Sequence, residues 1–229
     1  MGLLGSLMQK WFGYSTGNPP VEGTSTASAP SKGESHFHVV RVQPTPNPDA
    51  FQFIMNGKVI VSGTKTFNTA DDAKGDPLGE SLFNVFGVEN VFFKEDFVTI
   101  TKSKVVGWHT IMEKLGDLLE EKLEVYQTPD HAEASAAPQV LENFKKEDFV
   151  NCSDEEKTRV IEELLNVAIR PALANDGGGL DIIGIEGNTL SVHYQGACGS
   201  CPSSTTGTLT YIETFLQEAL HPDIKVQAS

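Results

Sequence analysis

The stretch LDIIGIEGNTLSVHYQGACGSCPSS, residues 180–204, decides the fold of the C-terminal half. Its runs LDIIGI and TLSVHY are separated by Glu186-Gly187-Asn188, a β-hairpin turn in which Gly and Asn accept positive φ. Upstream, Ser153 and Glu156 form a capping-box pattern ahead of Val160, Ile161, Leu164, Leu165 and Ala168, which share one helical face. That helix runs into RPALANDGGGL, whose three consecutive glycines, Gly177 to Gly179, are expected to form a turn of unusual backbone freedom. Downstream, Leu209, Ile212, Phe215, Leu216 and Ala219 recur in helical register, with Pro222 just past the end of the pattern. Helix, strand, strand, helix, with DIKVQ as a further strand, makes residues 151–229 one small unit.

The N-terminal half reads differently. HVVRV and AFQFIM are strand patterns; Asn56-Gly57 is a hairpin signal, with KVIVS expected as the return strand. PTPNPD, between the first two strands, holds three prolines in five residues and opposes ladder pairing. Asp76 followed by Pro77 opens a short helix, DPLGESLFNVFG, before strands NVFFK and DFVTITK. A longer amphipathic helix is expected over Trp108–Glu124, with Ile111, Leu115, Leu118, Leu119 and Leu123 on one side. The chain is thus expected to be α+β: two small α+β domains joined by a flexible linker. The divisions are an amphipathic terminus and tether at 1–37, a domain at 38–126, a linker at 127–150 and the second domain at 151–229. Residues 15–36 are rich in Ser, Thr, Gly and Pro, the composition of a flexible tether.

Charge and composition exclude several function classes. A formal net charge of −14 opposes a phosphate backbone, so no nucleic-acid partner is expected. No apolar run approaches the roughly 18 residues that span a bilayer. Leu3, Leu4, Leu7, Met8, Trp11 and Phe12 would align on one helical face, and Gly2 with Ser6 fits the short N-myristoylation pattern. A frayed amphipathic terminus is the preferred reading, and membrane contact by residues 1–14 the lesser one. This terminus lacks the features of a secretory signal or Arg-rich transit peptide. Three cysteines, two of them in a Cys-x-x-Cys pair, suit a reducing compartment. The expected location is cytoplasmic, with an organellar matrix as the alternative.

Cys198 and Cys201 fall between a strand and a helix start, where amide hydrogens and the helix dipole favour thiolate, the form that binds metal or attacks disulfides. Gly199 leaves room beside the sulfurs and Pro202 suits a first helical position. Iron–sulfur clusters and tetrahedral zinc generally take four protein ligands, and one chain supplies two from this motif. Cys152, the third cysteine, reads as a lightly packed spare residue, and His193 as a strand surface residue. Two chains, each giving Cys198 and Cys201, would complete a four-thiolate site across a two-fold axis. Two other readings use the same pair: a thioredoxin-like thiol-disulfide oxidoreductase and a dimeric structural zinc site. No group is arranged for acid–base or nucleophilic turnover, so no enzyme activity is expected.

IRPALANDGGGLDIIGIEGNTLSVHYQGACGSCPSSTTGTL resembles the C-terminal NifU-type domain of Nfu iron–sulfur scaffold and carrier proteins. The matching residues are Arg170-Pro171, Asp176-Gly177-Gly178, Gly196-Ala197-Cys198 and Cys201-Pro202-Ser203-Ser204. With its helices the likeness spans residues 154–226. TPNPDAFQFIMNG, PLGESLFNVFGVENVFFKEDFVTITK and WHTIMEKL are similar to the Nfu N-terminal domain, over residues 38–126. The resemblance implies a [4Fe-4S] cluster bridged between two subunits by Cys198 and Cys201 of each, a homodimer held through that cluster, an upstream donor, and delivery to apo iron–sulfur acceptor proteins. The N-terminal domain is then read as a docking module. Gly179 departs from the acidic residue the family commonly carries after Asp-Gly-Gly.

Overall fold

The computed structural model describes residues 37–127, 144–199 and 202–228. Cys201, the amphipathic stretch 1–14, the tether 15–36 and residues 128–143 of the linker lie outside the described residues. Two hydrophobic clusters organise the chain, one in each half.

The first half is a five-stranded sheet with two helices. Its strands are β1 (Val39–Pro44), β2 (Ala50–Met55), β3 (Thr64–Phe67), β4 (Val88–Lys94) and β5 (Phe97–Lys102), ordered β1-β2-β5-β4-β3. All neighbours are antiparallel. Alternation along the strands sends Phe53, Met55, Val91, Phe93, Val98 and Ile100 to one face. There they meet Leu78 and Leu82 of α1 (Pro77–Phe83) and Ile111, Leu115 and Leu119 of α2 (Trp108–Lys122). Asp76 caps α1 by accepting from the Gly79 amide at 2.7 Å, with Pro77 in the first turn where its missing N–H costs nothing.

The expected return strand KVIVS does not form. Both edges of β2 are taken, by β1 and β5. Residues 58–62 instead run past the β4–β5 turn, where Met55 and Val59 donate to the carbonyls of Asp96 and Glu95, and Ile60 bridges Tyr126. The strand that does follow is the four-residue β3, paired with β4.

The second half begins before the expected boundary. A 3₁₀ turn at Lys146–Asn151 places Phe149 fully inside the core, although its segment reads as polar linker. Then come α3 (Asp154–Ala168), α4 (Arg170–Asn175), β6 (Gly178–Glu186), β7 (Thr189–Gly196), α5 (Pro202–Ala219) and β8 (Lys225–Ala228). The Ser153–Glu156 capping box is formed in both directions. β6 and β7 are antiparallel, and β8 adds parallel to β7. Two details correct the sequence reading. α4 is a separate short helix, tolerating Pro171 because it lies in the first turn. Of the three glycines, only Gly177 turns, with φ +76°; Gly178 and Gly179 already belong to β6.

The second face of the first sheet is also covered. Gln52, Phe92, Phe97, Thr99 and Thr101 point away from α1 and α2 yet are buried. Gln52 Nε2 donates to the Ala174 carbonyl at 3.1 Å, and Phe92 lies beside Gly179 and Gly196. The two halves therefore meet at the end of β7. Among the described residues no helix is long and apolar enough to cross a membrane.

Candidate metal centre

Cys198 occupies the turn that links β7 to α5, and backbone geometry fixes that turn. Gly196 sits at φ +59°, a conformation that a side chain would strain. Its carbonyl accepts from the Gly199 amide at 3.1 Å, and the Ala197 amide donates to the Gly177 carbonyl at 3.2 Å. The turn is thus stitched to the glycine segment across the β6–β7 ladder, where Gly178 pairs with Gly196.

Glycine is required there for space as well as for φ. A Cβ on Gly178 would overlap the Cys198 sulfur and lie 2.9 Å from the Gln195 carbonyl. A Cβ on Gly196 would lie 2.7 Å from the Gly177 carbonyl and 2.8 Å from the Phe92 ring. Gly178 accordingly lets the backbone close against Cys198, a residue that is 5% exposed and packed into the second hydrophobic cluster.

Asn47 comes from the other half of the chain. Its Nδ2 donates to the Ala197 carbonyl at 3.0 Å, one residue from the thiol. The loop that carries it, Thr45 to Asp49, is held by Thr45 Oγ1 donating to the Asn47 and Ala50 carbonyls and by the Asp49 amide donating to Asn47 Oδ1. A cavity of about 30 Å³, room for a water molecule or two, lies between Pro46, Asn47, Leu173, Asp176, Ala197 and Cys198. Burial pushes the Asp176 carboxyl above its ordinary range. Burial, with the Cys198 sulfur nearby, pushes the Tyr194 phenol up strongly. Its hydroxyl has no hydrogen-bond partner among the described residues.

Cys152 stands at the start of α3, its thiol donating to the Asp148 carbonyl at 3.3 Å. Burial, then the carboxylates of Glu156 and Asp148, raises its pKa, which disfavours the thiolate that ligation needs. His193 stands opposite Asp181 in the β6–β7 ladder, half-buried. Among the described residues no three His, Cys, Asp or Glu side chains gather where they could hold a metal ion. Of the two expected ligands, Cys198 is in the β7–α5 turn and Cys201 lies outside the described residues. Sequence reading missed Asn47, Gln52 and Phe92 of the first half, which reach the Ala197 carbonyl, the Ala174 carbonyl and the glycines at 179 and 196 respectively. The available signal was Val91-Phe92-Phe93, three consecutive apolar residues that put large side chains on both faces of β4.

Two family profiles match the chain: "Scaffold protein Nfu/NifU N terminal" over residues 40–127 and "NifU-like domain" over residues 161–227. "NifU-like protein 4, mitochondrial" of Arabidopsis thaliana is 33% identical over 189 residues, covering 80% of this chain and 63% of its own. "NFU1 iron-sulfur cluster scaffold homolog, mitochondrial" of Homo sapiens is 34% identical over 182 residues, covering 79% of this chain and 68% of its own. The Drosophila ananassae protein of the same name is 34% identical, with 59% of its length matched. This chain thus spans about two thirds of the length of these relatives. A solved NifU-like protein from Saccharomyces cerevisiae is 24% identical with a TM-score of 0.37, covering 44% of this chain and 92% of its own.

Proposed function

Given that the chain belongs to the Nfu family of NifU-like iron–sulfur cluster scaffold proteins, we propose that it carries a [4Fe-4S] cluster between two copies and passes it to apo-proteins. Cys198 and Cys201 of each copy supply the four thiolates. The observation that carries this reading is the Cys198 turn between β7 and α5, where Gly178, lacking a side chain, leaves the room that a buried sulfur occupies. A lone chain brings half a coordination sphere, and pairing completes it.

Transfer in this scheme is ligand exchange: acceptor thiolates replace Cys198 and Cys201 stepwise, and the cluster leaves as cargo. The chain acts as a scaffold and not as a catalyst. Several relatives are named as mitochondrial, which supports the organellar matrix over the cytoplasm as its compartment.

Anaerobic reconstitution with iron and sulfide tests the proposal. The expected product is brown, with about four irons per two chains, and Cys198→Ser or Cys201→Ser abolishes it while Cys152→Ser does not. Colourless protein with stoichiometric zinc, or turnover of a disulfide substrate, would replace this reading with a rival.

A further inference from the structure

We infer that the first domain is a cap on the chain's own cluster turn: its second sheet face docks over Gly177–Gly179 and the Cys198 turn, and it must lift off before two chains can share a cluster. The inference rests on the scaffold reading only for its consequence; the docking stands on contacts alone.

Three contacts carry it. Asn47 holds the Ala197 carbonyl and Gln52 holds the Ala174 carbonyl, bracketing the glycine segment from both sides. Phe92 fills the space between them. It is fully buried yet belongs to neither hydrophobic cluster, because what covers it is the glycine backbone of the other domain.

Gly179 isolates this docking from other roles. Gly177 and Gly196 have positive φ, and Gly178 makes room for the Cys198 sulfur, so each is needed inside the second domain. Gly179 lies in a regular strand at ordinary φ. Its Cβ would meet the Phe92 ring at 3.1 Å and the movable end of the Gln195 side chain at 3.3 Å. The one rigid obstacle to a side chain at 179 is therefore Phe92, a residue of the opposite domain.

In the docked state Pro46 and Asn47 of the first domain line the same pocket as Cys198, which is almost fully buried. A thiol covered in this way is withheld from a second chain, whereas shared ligation needs it presented at the surface. Docking and shared ligation thus exclude each other, so the cap protects the apo turn and opens on loading.

The test uses the full-length apo-protein, wild type against Gly179→Ala, Gly179→Glu and Asn47→Ala, reading small-angle scattering and the rate of Cys198 alkylation located by tandem mass spectrometry. Gly179→Glu is expected to raise the radius of gyration and to speed alkylation by about tenfold or more, the factor matching about 1.4 kcal/mol of lost docking. Gly179→Ala should change both only slightly. If Gly179→Glu loses its far-UV circular dichroism, Asn47→Ala, made on the opposite domain, decides with the same two readouts. Unchanged scattering and alkylation in a folded variant would overturn the cap. Iron content per wild-type dimer is measured separately, so failure of the cap leaves the scaffold reading standing, and failure of the scaffold reading leaves the docking intact.

Discussion

Replacing Gly178 by alanine examines how the Cys198 turn is built. The added methyl would overlap the Cys198 sulfur and approach the Gln195 carbonyl at 2.9 Å and Cys198 Cβ at 3.0 Å. One of these obstacles is backbone in a ladder and the sulfur sits in a packed core, so neither yields cheaply. Overpacking of this kind typically costs about 1–3 kcal/mol, and crowding from three atoms places Gly178→Ala in the upper half of that range. The smaller conformational freedom of alanine in the unfolded chain returns about 0.4–1 kcal/mol. The net loss is therefore about 2 kcal/mol, or about 10 °C in the melting temperature of a domain this small. Gly184, six residues along the same strand, has no atom within 4 Å of its would-be Cβ and an ordinary φ. Gly184→Ala is the matched control and should melt at or slightly above wild type. Calorimetry of the two variants, followed by anaerobic reconstitution, measures both consequences, because a displaced sulfur should also lower iron uptake. Coincident melting of Gly178→Ala and Gly184→Ala with undiminished iron uptake would refute the reasoning.

Other outcomes follow from single groups. Ser153→Ala removes the capping box and should cost about 1 kcal/mol in thermal unfolding. The same change tests a pKa: bonds from the Ser153 amide and hydroxyl hold the Glu156 carboxyl below its ordinary value. The carboxylate's own contribution is present above pH 4.5 and is lost as pH falls through the lowered folded value; in Ser153→Ala the carboxyl should titrate nearer its usual range by NMR. Asp176 has the opposite sign. Its raised pKa means that ionisation disfavours the folded state, so stability falls as pH rises from about 3.8 through the folded value, and Asp176→Asn should flatten that slope. Tyr194→Phe removes a buried hydroxyl without a described partner and should be neutral or stabilising, by up to about 1 kcal/mol. Arg170 is buried, donating from Nε to the Leu180 carbonyl at 3.0 Å and pairing with Glu162 and Asn166. Arg170→Met leaves Glu162 unpaired at the edge of the core, and denaturant unfolding should show a loss of about 3 kcal/mol.

Much of the fold was legible because local signals and tertiary packing agreed. Ser153, Glu156 and the apolar stripe from Val160 to Ala168 specify α3 without outside help, and Gly187 specifies the β6–β7 turn. Asp76-Pro77 likewise marks α1. The misreadings came where non-local pairing won. Asn56-Gly57 is a hairpin signal, but β1 and β5 occupy both edges of β2, so no return strand can join it. Phe149 sits in the charged run KKEDFVN, where a single aromatic gives no period to read, yet it fills the core beneath α3, with Lys157 lying over its ring. At the site, the Cys-x-x-Cys motif and its glycines were visible as chemistry. The contribution of Asn47, Gln52 and Phe92 was not, because nothing local says that 150 residues separate partners in one hydrogen bond. The consecutive apolar run Val91-Phe92-Phe93 in β4 was the trace, in the sequence, of a second layer packed against the sheet.

Native mass spectrometry of the iron-loaded protein, performed anaerobically, measures subunit number and cluster mass in one spectrum. Two chains carrying a single four-iron cluster, falling to bare monomers when Cys198 or Cys201 is replaced by serine, is the predicted result. A monomer that keeps its iron, or a dimer that keeps it without those thiols, would contradict a cluster held jointly by two copies.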